Sequence, residues 1–177
     1  FELAIGADGI KPLAIPLGDG ACARFVGTID RVDTYEADGK VYVRVVDYKT
    51  GKKEFRQDYL RLGLDLQMLL YLFSIWENGK ERYGGEIVPA GVLYLGAGTP
   101  SIAAPVPKNE AEKKELLQRQ IRRSGILCDN ASVLRAMEPA LDGKFIPVSC
   151  NKDGSFSKSS PVESIEQFGQ LRAQITD

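Results

Sequence analysis

The stretch that decides the fold runs from residue 41 to residue 51 and spells V-Y-V-R-V-V-D-Y-K-T-G. Apolar and β-branched residues dominate its first six positions, a composition typical of a buried strand. The strand then ends in Asp47, Tyr48 and Lys49. Because alternate residues of a strand share a face, Asp47 and Lys49 point one way and Tyr48 points the other way. An aspartate and a lysine at the end of an apolar strand are costly to bury unless they are paired, hydrated or bound to a metal.

Two predicted strands precede this one. The first covers residues 13–17 and ends at a Gly-Asp-Gly turn, and the second alternates apolar and polar residues over positions 21–35. The dipeptide Asp38-Gly39 separates the second strand from the stretch at 41–49 and favours a tight hairpin. We therefore expect three strands arranged as an antiparallel meander.

Helices and one more strand follow the meander. Apolar residues recur at helical spacing over residues 60–78, with Gly79 as the predicted end of the helix. The remaining predicted elements are a buried strand over 87–95, a charged helix over 108–124, a short helix around 132–137, a peripheral hairpin over 145–154 and a last helix with Ser160, Pro161 and Glu163 at N-cap, N1 and N3. This order indicates an α/β fold, a mixed sheet flanked by helices, in one domain over residues 1–177.

The composition narrows the chemistry that is available. The chain has 177 residues, a formal net charge of -1 and no histidine. The lack of histidine excludes a Ser-His-Asp triad, a Cys-His pair and a His-ligated zinc, so catalysis must use carboxylates, lysine, tyrosine or a hard cation. No apolar run approaches the roughly 18 residues of a membrane span, and we expect no contact with a membrane.

The cysteines and the first residue indicate the cellular context. Cys22, Cys128 and Cys150 are far apart and lack CxxC spacing, which argues against a disulfide framework or a self-contained zinc site and favours a reducing, cytoplasmic location. We expect the three thiols to be small apolar residues of the core. The chain opens with Phe1 and no initiator methionine, and we interpret it as a fragment of a longer protein.

A second acidic motif, G-T-I-D-R-V-D, precedes the deciding strand and centres on Asp30. If the two segments pack side by side, Asp30, Asp47 and Lys49 meet at one point. Mg²⁺ prefers one or two carboxylates plus water and phosphate oxygens, and a lysine beside it can orient the attacking water and offset developing charge. Asp33 faces away from Asp30 and is expected to pair with Arg31 or with a neighbouring strand. On spacing alone, a surface ion pair between Asp47 and Lys49 is the competing interpretation.

These motifs resemble those of the RecB-like branch of the PD-(D/E)xK nucleases. That family carries an Asp in a GxxD element, a D-x-K on the next strand and a QxxxY motif on the following helix, and this chain has G-T-I-D, D-Y-K and Q-M-L-L-Y in that order. The resemblance implies a restriction-endonuclease-like fold in which Asp30, Asp47 and Lys49 are catalytic. It also implies a Mg²⁺ site, with Mn²⁺ as a substitute, formed by Asp30, Asp47 and the backbone carbonyl of Tyr48.

The same resemblance points to residues that would contact DNA. Gln67 and Tyr71 match the QxxxY motif, and residues four apart lie on one face of a helix. The expected DNA contacts are Gln67, Tyr71, Lys52, Lys53 and Arg56. A second basic cluster is expected instead to be a solvated helix face, because glutamates interleave with it; it comprises Lys108, Lys113, Lys114, Arg119, Arg122 and Arg123.

Three further stretches are G-L-D-L-Q-M-L-L-Y-L at 63–72, V-L-R-A-M-E-P-A-L-D-G-K-F-I-P-V at 133–148 and N-K-D-G-S-F-S-K at 151–158. Through them the chain resembles, within the family, the nuclease domain of the B subunit of AddAB-type ATP-dependent helicase–nucleases, over residues 1–174. That resemblance implies a helicase partner subunit, single-stranded DNA as substrate and a role in processing double-strand breaks for recombinational repair. The subunit also holds an iron–sulfur cluster through cysteines whose spacing this chain does not match. We therefore expect the cluster in the full-length protein only, with ligands outside these residues. The competing interpretation is a catalytically silent DNA-binding or assembly module of the same complex.

Overall fold

The computed structural model of the protein describes residues 2–50, 55, 66–96, 107–121 and 123–176. Nine strands lie within these ranges. They are β1 (Leu3–Ile5), β2 (Ala14–Gly18), β3 (Ala21–Arg24), β4 (Gly27–Ile29), β5 (Arg31–Ala37), β6 (Lys40–Lys49), β7 (Glu86–Gly96), β8 (Ser124–Cys128) and β9 (Val162–Glu163). The same ranges contain five helices, α1 (Gln67–Asn78), α2 (Lys80–Tyr83), α3 (Glu110–Ile121), α4 (Ala131–Met137) and α5 (Ile165–Thr176).

The main sheet has five strands in the order β5-β6-β7-β8-β9. Antiparallel pairing joins β5 to β6 and β7 to β8, whereas β6 pairs with β7 and β8 with β9 in parallel. Two antiparallel ribbons, β1-β4 and β2-β3, complete the strands of the described residues. The predicted mixed sheet flanked by helices is therefore present.

The hairpin between β5 and β6 follows directly from the sequence. Asp38 and Gly39 have φ values of 52° and 73°, and Ala37 pairs with Lys40 across the turn. Positive φ at both central residues is the requirement of the two-residue turn that matches strand twist. This hairpin fixes the register that sets every residue of β5 against β6.

The predicted strand over residues 21–35 is wrong as a single element. The structure divides it into β3, β4 and β5, which belong to three different sheets. Alternation persists through the segment because each piece has one buried face, so periodicity alone could not reveal the breaks. The bend between β4 and β5 falls at Asp30, where the chain passes from the β1-β4 ribbon to the main sheet.

Helix α1 and helix α4 cover opposite faces of the main sheet. The α1 face of β6 carries Val43 and Val45, which join the core cluster that contains the buried apolar residues of α1 between Met68 and Ile75. The α4 face carries Val46, which packs in a second cluster with Leu134 of α4. By alternation, Asp47 and Lys49 lie at the end of the α1 face, and Tyr48 lies at the end of the α4 face.

The last helix begins four residues later than predicted. Val162 and Glu163 form β9, and Ser160 bonds to the backbone of Ser149 instead of capping a helix. The cap is at Ser164, whose Oγ accepts the Gln167 amide while the Ser164 amide donates to Gln167 Oε1 at 2.7 Å. This reciprocal pair is a capping box, so the predicted motif type is present one turn further along.

The predictions for the charged helix and for the peripheral hairpin were also wrong in part. The charged helix ends at Ile121, and Ser124 starts a short strand, β8, that the sequence did not predict. The peripheral hairpin is reduced to isolated bridges, Asp142 with Ser149 and Cys150 with Phe156. Within the described residues, no helix is long and apolar enough to span a membrane.

Candidate active site

Asp30 reaches from the bend between β4 and β5 to the end of β6. Its Oδ2 accepts a hydrogen bond from the backbone N–H of Tyr48 at 2.8 Å. The register of the hairpin explains the contact, because Arg31 pairs with Val46 and one further step along β5 brings Asp30 beside Asp47 and Tyr48. The aspartate of the GxxD element is therefore tied to the backbone of the D-x-K strand.

Asp47 and Lys49 form an ion pair on the α1 face. Lys49 Nζ lies 2.6 Å from Asp47 Oδ2, and the side chains of Lys49 and Asp47 are 35% and 18% exposed. The Oδ2 atom has almost no contact with solvent. Apart from the ion pair with Lys49, this atom has no hydrogen-bond partner within the described residues. A buried carboxylate oxygen in this situation is incompletely satisfied.

The oxygen ligands near Asp30 and Asp47 fit Mg²⁺ better than a metal that is held by a full set of protein side chains. In the described part of the chain, no three or more His, Cys, Asp or Glu side chains gather where they could hold a metal ion. Mg²⁺ does not need such a cage, because it binds through one or two carboxylates and keeps several waters. Asp30, Asp47 and the carbonyl of Tyr48 would hold it, and the incompletely satisfied Asp47 Oδ2 is an available ligand. These roles stay predictions.

The QxxxY residues form a contact with the GxxD glycine. Gln67 Nε2 donates to the Tyr71 hydroxyl at 2.9 Å, and Tyr71 is 6% exposed in the core. The hydroxyl end of its ring lies against Gly27, so that a Cβ built there would overlap the hydroxyl oxygen and lie 3.1 Å from Cζ. Gln67 itself is exposed. The pair therefore packs against the segment that carries Asp30, and its predicted contact with DNA is untested.

The two basic clusters had different expected roles, DNA contact for the first and a solvated helix face for the second. Lys52, Lys53 and Arg56 lie outside the described residues. In the second cluster, Lys113 pairs with Glu110 at 3.4 Å on the exposed surface of α3, in agreement with a solvated helix face. Arg123 was misassigned to this helix, since α3 ends two residues before it.

On the α4 face, Asp33 binds two arginines, Arg31 on its own strand and Arg44 across the hairpin. Arg31 Nε donates to Oδ1 at 2.6 Å, and Arg44 donates to Oδ2 from Nε at 3.1 Å and also from Nη2. Burial opposes ionisation of Asp33, but the hydrogen bonds from Arg31 and Arg44 outweigh it and hold its pKa below the usual value. The predicted pairing of Asp33 is confirmed for both Arg31 and the neighbouring strand.

The sequence analysis did not predict that two further arginines, Arg44 and Arg123, lie near this carboxylate. Arg44 interrupts the apolar run of β6, and this break in the pattern could have singled it out. Arg123 gave no signal, because it follows a helix rich in charge. Burial and the charges of Arg44 and Arg31 lower the pKa of Arg123, which places it within electrostatic reach of both.

The cysteines differ from one another in burial. Cys128 is buried, Cys150 is half-buried and Cys22 is exposed, so the expectation of three core thiols is wrong for Cys22. Burial raises the pKa of the Cys128 thiol to about 11. That thiol is protonated near neutral pH and acts as a small apolar residue.

Comparison with known proteins gives one family and a consistent set of relatives. The profile of the PD-(D/E)XK nuclease superfamily matches residues 1–152. Three similar curated proteins each carry the name of the B subunit of an ATP-dependent helicase/deoxyribonuclease. They come from Acetivibrio thermocellus (33% identity over 99% of this chain), Symbiobacterium thermophilum (40% over 95%) and Clostridium tetani (36% over 99%).

The chain spans 14–16% of the length of these relatives. Their names agree with the resemblance drawn from the motifs, and the mixed sheet flanked by helices agrees with the fold which that resemblance implied. With the profile matched over most of the sequence and the GxxD aspartate hydrogen-bonded to the D-x-K strand, the chain belongs to the PD-(D/E)XK nuclease superfamily.

Proposed function

We propose that this chain is the nuclease domain of a helicase–nuclease complex and hydrolyses phosphodiester bonds of single-stranded DNA with Mg²⁺. One observation carries the proposal: Asp30 Oδ2 accepts the Tyr48 amide at 2.8 Å, which brings the aspartate of the GxxD element to the D-x-K end of β6. The names of the similar proteins support DNA as the substrate and a second subunit as the partner. The work of the complex would be to process broken DNA ends in the cytoplasm for recombinational repair.

The chemistry divides between the cation and three side chains. Bound Mg²⁺ would polarise the phosphate and lower the pKa of a coordinated water. Asp30 and Asp47 supply the negative charge that holds the cation, and the Tyr48 amide orients the Asp30 carboxylate. Lys49, 2.6 Å from Asp47, supplies a positive charge beside the reacting phosphate, where it offsets the charge that develops during attack.

Substrate would be held by residues around this point. Lys52, Lys53 and Arg56 follow β6 in sequence and would bind the phosphate backbone, which gives affinity without sequence preference. Gln67 is exposed beside the buried Tyr71 and would contact the strand near the cleavage point.

The proposal is tested by cleavage of end-labelled single-stranded DNA with Mg²⁺, Mn²⁺ or EDTA. We expect cleavage with either metal, none with EDTA, and a rate at least about 100-fold lower for Asp47→Asn, because one metal-binding charge is lost. Asp38→Asn is the matched control, since it makes the same substitution in the hairpin turn at the far end of β6, where Asn tolerates positive φ.

Metal binding is measured separately by calorimetry with Mg²⁺ on the same three proteins. Weaker binding by Asp47→Asn and unchanged binding by Asp38→Asn are expected. Full cleavage by Asp47→Asn would refute the assignment of the site. A wild-type chain that binds DNA but does not cleave it would favour the catalytically silent module.

A further inference from the structure

The α4 face of the sheet carries more positive charge than its acidic partner can neutralise. Arg31 and Arg44 form ion pairs with Asp33, and Arg123 lies within electrostatic reach of all three residues. Within the described residues, Asp33 is the only carboxylate paired with these arginines. Arg44 Nη1 is buried and has no hydrogen-bond partner in the same part of the chain. The cluster therefore has unused donors and a net positive charge.

The excess positive charge acts on Arg123, whose pKa is lowered. Burial and the neighbouring arginine charges all favour its neutral form. An anion placed between these guanidinium groups would remove that repulsion and supply the missing acceptors. Phosphate and carboxylate oxygens both match the donor geometry of arginine.

Two exposed aromatic residues are connected to the same cluster, Tyr48 through its side chain and Phe145 through its backbone. Tyr48 is 41% exposed, and its hydroxyl lies 3.5 Å from Arg31 Nη1. Phe145 is 49% exposed, and its carbonyl accepts the backbone N–H of Arg123 at 3.0 Å. Exposed aromatic rings together with arginines are the combination that binds unpaired bases and their phosphates.

This cluster is also continuous with the proposed active site through the backbone of one residue. Asp30 accepts the amide of Tyr48, and the Tyr48 side chain projects to the opposite face, next to Arg31. A ligand on the α4 face thus lies across the end of one strand from Asp47 and Lys49. An acidic protein segment would satisfy the arginines, but it would leave the two exposed rings unexplained.

We propose that Arg31, Arg44, Arg123, Tyr48 and Phe145 form a second binding site, for single-stranded nucleic acid, on the face of β6 opposite Asp47. Arg31 and Arg123 bind phosphates, and the Tyr48 and Phe145 rings stack on bases. Arg44, anchored by Asp33, maintains the positive charge beneath them. The site rests on the proposed nuclease function for its biological role, but its occupancy requires neither metal nor cleavage.

The experiment measures fluorescence anisotropy of a labelled oligothymidylate with the full chain in EDTA, over a series of salt concentrations. For Arg123→Ala we expect roughly tenfold weaker binding and a salt slope lower by about 0.7, the value for one phosphate contact on a single strand. Arg123→Lys restores most of the slope because it keeps the charge. Tyr48→Ala weakens binding roughly tenfold, whereas Tyr48→Phe retains the stacking ring and binds as the wild type does.

Lys40→Ala is the matched control. It removes one positive charge from the other end of β6, roughly 26 Å from Tyr48 at the rise of a strand, where Lys40 pairs with exposed Glu86. Circular dichroism confirms that each variant is folded. If Arg123→Ala and Tyr48→Ala bind DNA as Lys40→Ala does, the proposal is overturned.

Two further outcomes separate the inference from its alternatives. A polyglutamate peptide that binds the wild type but not Arg123→Ala, with DNA binding unchanged, would assign the cluster to an acidic protein segment and overturn the proposal. Loss of cleavage in Asp47→Asn with oligothymidylate affinity retained would support a binding site independent of catalysis. A wild-type chain that never cleaves but shows the Arg123 and Tyr48 effects would refute the nuclease function and leave this site in place.

Discussion

Replacing Gly27 with alanine tests how the QxxxY motif acts on the GxxD segment. The new Cβ would overlap the Tyr71 hydroxyl oxygen and lie 3.1 Å and 3.4 Å from Cζ and Cε1. The ring cannot swing away, because Tyr71 is 6% exposed in the core and its hydroxyl accepts from Gln67. Gly27 does not have a positive φ, so alanine is disfavoured by this contact and not by its backbone.

The expected cost follows from three terms. Overpacking a core typically costs about 1–3 kcal/mol, and displacing the hydroxyl loses a hydrogen bond worth about 1 kcal/mol. Alanine in place of glycine recovers about 0.4–1 kcal/mol by restricting the unfolded chain. We therefore expect Gly27→Ala to lower the free energy of unfolding by about 2 kcal/mol and to slow cleavage by displacing Asp30, three residues further along.

The assay is urea unfolding of a double-mutant cycle. Tyr71→Phe removes the overlapping oxygen, so the double variant Gly27→Ala/Tyr71→Phe should recover about 1 kcal/mol relative to additivity, the remaining cost coming from the 3.1 Å approach to Cζ. Gly169→Ala, in α5 with no atom within 4 Å of the added Cβ, is the control and should be stabilised. Additive effects in the cycle, or a Gly27→Ala variant as stable as the wild type, would refute the steric account.

Three further substitutions test other parts of the structure. Glu138 is buried and accepts three backbone N–H groups from residues 144–146; Glu138→Ala should cost about 3 kcal/mol in urea unfolding because it orphans these donors, and a loss below about 1 kcal/mol would contradict this. The pKa of Asp33 is lowered in the folded state, so its stabilisation is present above about pH 4 and is lost as the pH falls below that value. Asp33→Asn should therefore destabilise the protein at pH 7 and approach the wild type in acid, and a deficit unchanged with pH would contradict this. Ser164→Ala should cost about 1 kcal/mol because the capping box with Gln167 is lost, whereas Ser160→Ala should leave α5 intact, as judged by amide exchange.

The parts of the fold predicted well are those whose signal is local. Strand β6 carries its own periodicity and its own turn, so the residues from Val41 to Lys49 and the Asp38-Gly39 hairpin were identified directly. Strand β8 was missed because its five residues are too few to show a period. Strand β9 was missed because two residues become a strand only by pairing with β8, which no local pattern reveals.

The functional residues likewise fall into those with a local signal and those without one. Asp30, Asp47 and Lys49 stand in motifs that can be recognised one at a time, and their spacing required no knowledge of contacts. The cluster around Asp33 depends on cross-strand register and on a chain reversal after α3, since Arg44 lies on β6 and Arg123 lies just before β8. The choice between Ser160 and Ser164 as helix cap was also decided by tertiary pairing, because both serines have a Glu or Gln three residues later.

The bend at Asp30 makes this residue the connection between two sheets. It is the single residue between a strand of the β1-β4 ribbon and a strand of the five-stranded sheet, and its carboxylate is attached to the sheet through the Tyr48 amide. A rotation of the ribbon relative to the sheet would change the distance between the two aspartates that are proposed to share a cation. Any displacement of the ribbon would thereby change the affinity of the proposed site for its cation.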